Sequence, residues 1–121
     1  MIQNKEIVKI RQEAGIAADY CPQNKKDSLA LVKRMKSIIS DLKSMTKTLE
    51  KQSRQNADLT RQAKQEISES LQVLEAFNQE LMLDYRSDIH VAMIESIVSI
   101  IDFLETILEE PQGNLFGFSV N

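Results

Sequence analysis

No glycine stands between Gly15 and Gly113, and no proline between Pro22 and Pro111. Those two residues punctuate turns, sheets and active-site loops, so most of this chain has no place for them. A glycine-rich phosphate loop is excluded over the same stretch. Cys21 is the single cysteine, which rules out an internal disulfide and an all-cysteine metal site. Beside Pro22 it reads as an inert thiol at a helix boundary, with an intermolecular disulfide as the alternative. His90 is the single histidine, which argues against a histidine metal cluster within one chain. Tryptophan is absent and aromatic residues make up only 5% of the chain, so Ile, Leu, Val and Met must build the core.

Helix formers fill the space left by these absences: Ala, Leu, Lys, Gln, Glu, Met, Ser and Ile. One continuous helix from Gln23 to Glu110 would be ~130 Å long at about 1.5 Å per residue. A chain that folds back on itself at polar stretches is the expected arrangement. With 121 residues there is room for one modest core. We therefore expect a single helical domain over 1–110 and an apolar C-terminal tail over 111–121. The first residues mix charge with apolar side chains and do not read as a signal peptide, so the expected location is cytoplasmic.

Charge is unevenly spread. Residues 23–64 carry eleven Lys and Arg against four acids, whereas residues 65–121 carry Arg86 alone against eleven acids. Basic and acidic helices lying antiparallel in one bundle account for this pattern. A nucleic-acid stripe is the alternative. The basic stretch holds no aromatic residue to stack on bases, and the whole chain has a net charge of −3. Nucleic acid is accordingly not the expected partner.

Residues 3–14 carry Ile7, Val8, Ile10 and Ala14, a weak amphipathic pattern that Gly15 is expected to interrupt. Cys21-Pro22-Gln23-Asn24 is a break, because proline disfavours helix at the preceding residue. Asp27 or Ser28 is the expected cap of the next helix. Leu31, Met35, Ile38, Leu42, Met45 and Leu49 then alternate four and three apart, a heptad seam. The seam meets polar Gln52 and Asn56. That polar run reads as a helix–helix connection near Ser53–Asn56, with an interruption inside one long helix as the alternative. Apolar spacing resumes at Leu59, Ala63, Ile67, Leu71, Leu74, Leu81 and Tyr85, and its successive fours depart from a strict heptad as a stutter does.

The last helix is expected from Ser87 or Asp88 to about Glu109, ended by Pro111 and Gly113. Glu95, Ser99, Asp102, Thr106 and Glu109 form one polar stripe, and most other positions are apolar. Glu95, Asp102 and Glu105 make a membrane span expensive. The spacing predicts an all-α fold: a bundle of three long antiparallel helices behind a short N-terminal helix, with coiled-coil-like packing. His90 precedes Val91, Ala92, Met93 and Ile94, a setting hostile to phosphotransfer, so no catalytic role is expected. No metal or other cofactor is expected either. In the tail Phe116, Phe118 and Val120 alternate as a strand does; the segment either covers the bundle end or hooks a partner.

Asn56-Ala57-Asp58-Leu59, followed by Ala63, Ile67, Leu71 and Leu74, and the tail's Leu115-Phe116-Gly117 resemble flagellar export chaperones of the FlgN type. The resemblance covers residues 27–118. It implies a non-catalytic protein that keeps secretion substrates soluble by holding a terminal helix in an apolar groove. From the pattern itself, the last helix has more apolar surface than a small bundle easily hides. Ile94, Ile97, Ile101, Leu104 and Leu108 are the expected partner-binding face, with Leu115, Phe116 and Phe118 of the tail. A self-associating helical bundle or coiled-coil subunit uses the same residues and is the alternative.

Overall fold

The computed structural model describes residues 4–52 and 57–109, and side chains over 4–49 and 61–107. Four helices make up the described chain: α1 (Asn4–Asp19), α2 (Lys25–Gln52), α3 (Ala57–Leu83) and α4 (Ser87–Glu109). No strand occurs among the described residues. The fold is all-α, and the helices pack as a bundle: α2 on α3, α3 on α4, α4 on α1 and α1 on α2.

Helix α1 does not stop at Gly15. It continues to Asp19 and buries Ile7, Ile10, Ala14 and Ala17 along one stripe. A glycine inside a helix costs about 1 kcal/mol relative to alanine. Burying one isoleucine side chain contributes about 1.5–3 kcal/mol, so the packing of Ile7 and Ile10 outweighs that cost. Past Asp19 the helix ends, and Pro22 follows in the short connection to α2.

The cap of α2 is neither Asp27 nor Ser28. Asn24 Oδ1 accepts the Asp27 N–H at 2.9 Å, which satisfies one donor of the first helical turn. Asp27 in turn reaches back, its Oδ2 accepting the Gln23 N–H at 3.1 Å. This reciprocal pair resembles a capping box displaced by one residue. Ser28 donates its hydroxyl to the Asn24 carbonyl at 3.2 Å.

The heptad seam of α2 lies in the core as expected: Leu31, Met35, Ile38, Leu42, Met45 and Leu49 are all buried. Facing it, α3 contributes Ala63, Ile67, Leu71, Leu74 and Leu81. Lys25 Nζ donates to the carbonyls of Met82 and Leu83 at 2.7 and 3.1 Å. Asn78 Nδ2 donates to the Val32 carbonyl at 3.1 Å, and Lys43 Nζ lies 2.6 Å from Glu75 Oε2. Residues 27–86 therefore hold two helices packed on each other, not one long helix. The expected connection at Ser53–Asn56 lies outside the described residues. Lys25 also places a cation on the last carbonyls of α3, where the helix dipole is negative.

Helix α4 is the most apolar of the four, and α1 meets the side that α3 leaves. Arg11 of α1 reaches Asp102 Oδ1 at 2.6 Å and Glu105 Oε1 at 2.7 Å. The hydrogen bonds to Asp102 and then Glu105 hold the guanidinium's pKa above its ordinary value. All three side chains are more than a third exposed or nearly so, so each pair contributes about 0–1 kcal/mol. The polar stripe of Glu95, Ser99, Asp102 and Thr106 is exposed, as its spacing predicts. None of the described helices is long and apolar enough to cross a membrane.

Candidate functional site

The expected partner-binding face of α4 is turned inward. Ile97, Ile101 and Leu104 are each 0% exposed, and partly buried Ile94 packs against the same core. They form no open groove in this structure. The physical reason is α1: its stripe of Ile7, Ile10, Ala14 and Ala17 joins the core that α4 builds, and its two alanines permit close approach. Sequence periodicity exposed the surplus apolar surface of α4 but not its occupant. The side chain of Leu108 and the whole of Leu115, Phe116 and Phe118 lie outside the described residues.

His90 is 5% exposed at the entrance of α4, with both ring nitrogens engaged. Nε2 lies 2.8 Å from the carbonyl oxygen of Ala17, and Nδ1 lies 2.8 Å from the Tyr85 hydroxyl. A carbonyl can only accept, so Nε2 donates; in the neutral ring Nδ1 then accepts the Tyr85 O–H. The Tyr85 ring stands edge-on to the imidazole, with centroids 5.7 Å apart. Burial, and behind it the charge that Cys21 acquires as a thiolate, raise the Tyr85 pKa above its ordinary value. These contacts tie three segments together and leave His90 no free nitrogen for chemistry. Among the described residues, no group of three or more His, Cys, Asp and Glu is placed to hold a metal ion.

The outer seam between α2 and α3 is different. Two hollows of ≈ 400 and ≈ 320 Å³ lie end to end along it and share Lys43 and Glu75. Their apolar surface comes from Val32, Ile39 and Met82 in the first and Leu71 in the second. Lys36, Lys43 and Lys47 stand along the α2 edge; the α3 edge carries Lys64, Gln72, Glu75 and Gln79. The Lys43–Glu75 ion pair crosses from one edge to the other, its side chains 47% and 46% exposed. Half-exposed pairs of this kind are worth little and exchange partners readily.

Asn78 lines the first hollow and is 7% exposed. Its Nδ2 is spoken for by Val32, while its Oδ1 is buried without a hydrogen-bond partner. It occupies the seam position between Leu74 and Leu81, which the apolar pattern alone passes over. The gap of seven between those leucines was the available signal. Nor did sequence periodicity mark the α2–α3 edge as a groove, because lysine at such spacing also describes an ordinary solvated helix face. No family model matches this chain, and no curated protein or solved structure is significantly similar to it.

Proposed function

We propose that this chain is a non-catalytic helical protein-binding module whose docking surface is the α2–α3 groove. The observation that supports it is the juxtaposition of an apolar floor with a lysine-lined edge, open along the seam of two long helices. Helix-in-groove recognition uses such a surface: apolar ridges of the partner enter the floor and flanking charges set orientation. Lys25 against Met82, Asn78 against Val32 and Lys43 against Glu75 support an antiparallel α2–α3 hairpin with coiled-coil-like packing. A cytoplasmic export chaperone that holds the amphipathic helix of a secretion substrate fits this reading, in line with the resemblance to FlgN-type proteins.

Self-association is the second reading, and one observation favours it. Val91 and Val98 sit seven residues apart on the outward side of α4, 56% and 37% exposed. An apolar pair at heptad spacing is a seam that a second copy could cover.

Affinity capture with the full chain and a version ending at Glu110, combined with light scattering over a range of concentrations, tests the two. A constant monomer mass and a discrete partner support the binding module; loss or weakening of that partner on truncation adds the tail to its binding surface. A mass that rises with concentration, and recovery of this protein alone by both versions, support self-association and overturn the first reading.

A further inference from the structure

Resting on the binding-module reading, we propose that the occupant of the α2–α3 groove is an amphipathic helix of about 15 residues carrying acidic residues on its flank. Charge argues for the acidity. Lys36, Lys43 and Lys47 follow one another at intervals of seven and four on α2, so they line one edge of the groove. The opposite edge offers a single carboxylate, Glu75, beside the neutral amides of Gln72 and Gln79 and a further lysine, Lys64. This basic edge belongs to a chain whose net charge is −3. It is a local excess, not a reflection of the whole.

Shape argues for a helix. The floor is a narrow apolar strip between two helices, which accepts a third helix by ridge-into-groove packing. From Val32 to Lys47 the edge extends ~22 Å at about 1.5 Å per residue, the length of roughly four helical turns. No aromatic residue lines either hollow, which removes the stacking platform that single-stranded nucleic acid uses.

The Lys43–Glu75 pair gives the proposal a specific mechanism. It divides the groove into two hollows, and a docked helix must pass over it. An acidic flank lets Lys43 exchange Glu75 for a carboxylate of the partner, so the cation stays paired throughout. A basic flank would have to displace Lys43 with nothing to offer it. Glu75 thus competes with the partner, and its removal should tighten binding.

The test uses three synthetic amidated 16-residue peptides. One has leucines at i, i+3, i+4 and i+7 spacing with glutamates on the flanks, the second replaces those glutamates with lysines, and the third with glutamines. Binding is read by fluorescence anisotropy at low and physiological salt, and located by methyl shifts at Val32, Ile39, Leu71 and Met82. We expect the glutamate peptide to bind roughly tenfold more tightly than the lysine peptide and to weaken as salt rises. Glu75→Gln should tighten it roughly two- to fivefold, and the pair K36E and K47E should weaken it roughly tenfold. Unchanged circular dichroism establishes that the charge-reversed chain is folded, and the milder pair K36Q and K47Q should lie between it and the wild type.

Equal binding of all three peptides at the groove methyls overturns the acidic partner and leaves the binding-module reading standing. Groove methyls that no peptide moves, with a mass that doubles on concentration, show a second copy in the groove and overturn both. Peptide-induced shifts confined to α1 and α4 also overturn the proposal, because the docking surface is then elsewhere.

Discussion

The imidazole of His90 donates Nε2–H to the carbonyl oxygen of Ala17 at 2.8 Å, tying the entrance of α4 to the exit of α1 across 73 residues of sequence. The carbonyls of a helix's last turn have no intrahelical donor, so this bond caps α1 from outside. Tyr85 completes the arrangement by engaging Nδ1 from the connection that leads into α4. Replacing the imidazole leaves the Ala17 carbonyl with only the 3.4 Å bond from the Tyr20 N–H and takes this partner from the half-buried Tyr85 hydroxyl. His90→Ala should cost about 2–4 kcal/mol from lost hydrogen bonds and lost packing together, measured by urea unfolding. Tyr85→Phe removes one bond only and should cost about 1 kcal/mol. A double variant that loses the full sum of the two would show that the contacts act independently, contrary to this geometry.

Gly15 offers a change in the opposite direction. A Cβ added there meets nothing within 4 Å, and the residue lies inside α1. Gly15→Ala should stabilise the fold by about 0.5–1 kcal/mol, because alanine loses less backbone freedom on entering a helix. Thermal unfolding of the two proteins side by side gives the answer. A lower midpoint for the alanine variant would mean that α1 is not helical through this position.

Asn78 sets a choice between stability and pairing. Its Oδ1 is buried and unpaired, and a polar group left so costs about 1–3 kcal/mol. Asn78→Leu removes that penalty at similar volume and should raise the urea midpoint. The bond to Val32 would go with it, and with that bond a fixed point in the register of α3 on α2. A single polar residue in a heptad seam specifies alignment at a cost in stability. The leucine variant is therefore expected to show broader amide and methyl resonances near Val32 while melting higher. Sharp resonances with a lower midpoint would contradict both halves.

Asp88 adds a small acid-sensitive contribution at the start of α4. Its carboxylate accepts Arg86 Nη2 at 2.6 Å, and that bond, followed by backbone N–H groups at the start of α4, holds its pKa below the ordinary 3.8. A carboxyl whose pKa is lowered on folding stabilises the protein above its unfolded-state value, and the contribution disappears as pH falls through the folded-state value. The loss should therefore appear between about pH 5 and about pH 2 and be absent near neutrality. Asp88→Asn should flatten that part of the profile, when thermal midpoints are followed against pH at constant ionic strength. An identical slope in the variant would assign the acid sensitivity to other groups.

Much of this architecture is legible in the sequence. Leu31 through Leu49 repeat every three or four residues, and a helix of that period has only one face on which to bury them. The polar stripe of Glu95, Ser99, Asp102 and Thr106 was likewise readable and is exposed. Where the structure departs from the sequence pattern, packing decides a local contest. Gly15 marks an interruption of α1 by residue type, but the burial of Ile7, Ile10 and Ala17 carries the helix past it. Residue type points to Asp27 or Ser28 as the cap of α2, whereas Asn24, one turn earlier, supplies the side-chain oxygen that accepts the Asp27 N–H.

By itself, then, the sequence determined the helical class, the buried seam of α2 and the absence of glycine loops, because these depend on residue types at local spacing; Val8, on the apolar pattern of α1, is 54% exposed. Only the tertiary structure decided which stripe meets which. It placed α1 on α4, closing the face of Ile97, Ile101 and Leu104, and left the seam between Lys43 and Glu75 open. Apolar burial is non-directional: every one of these stripes would gain from any of the others. The choice among them rests on contacts between residues far apart in the chain, such as Arg11 with Asp102 and His90 with Ala17, which periodicity does not encode.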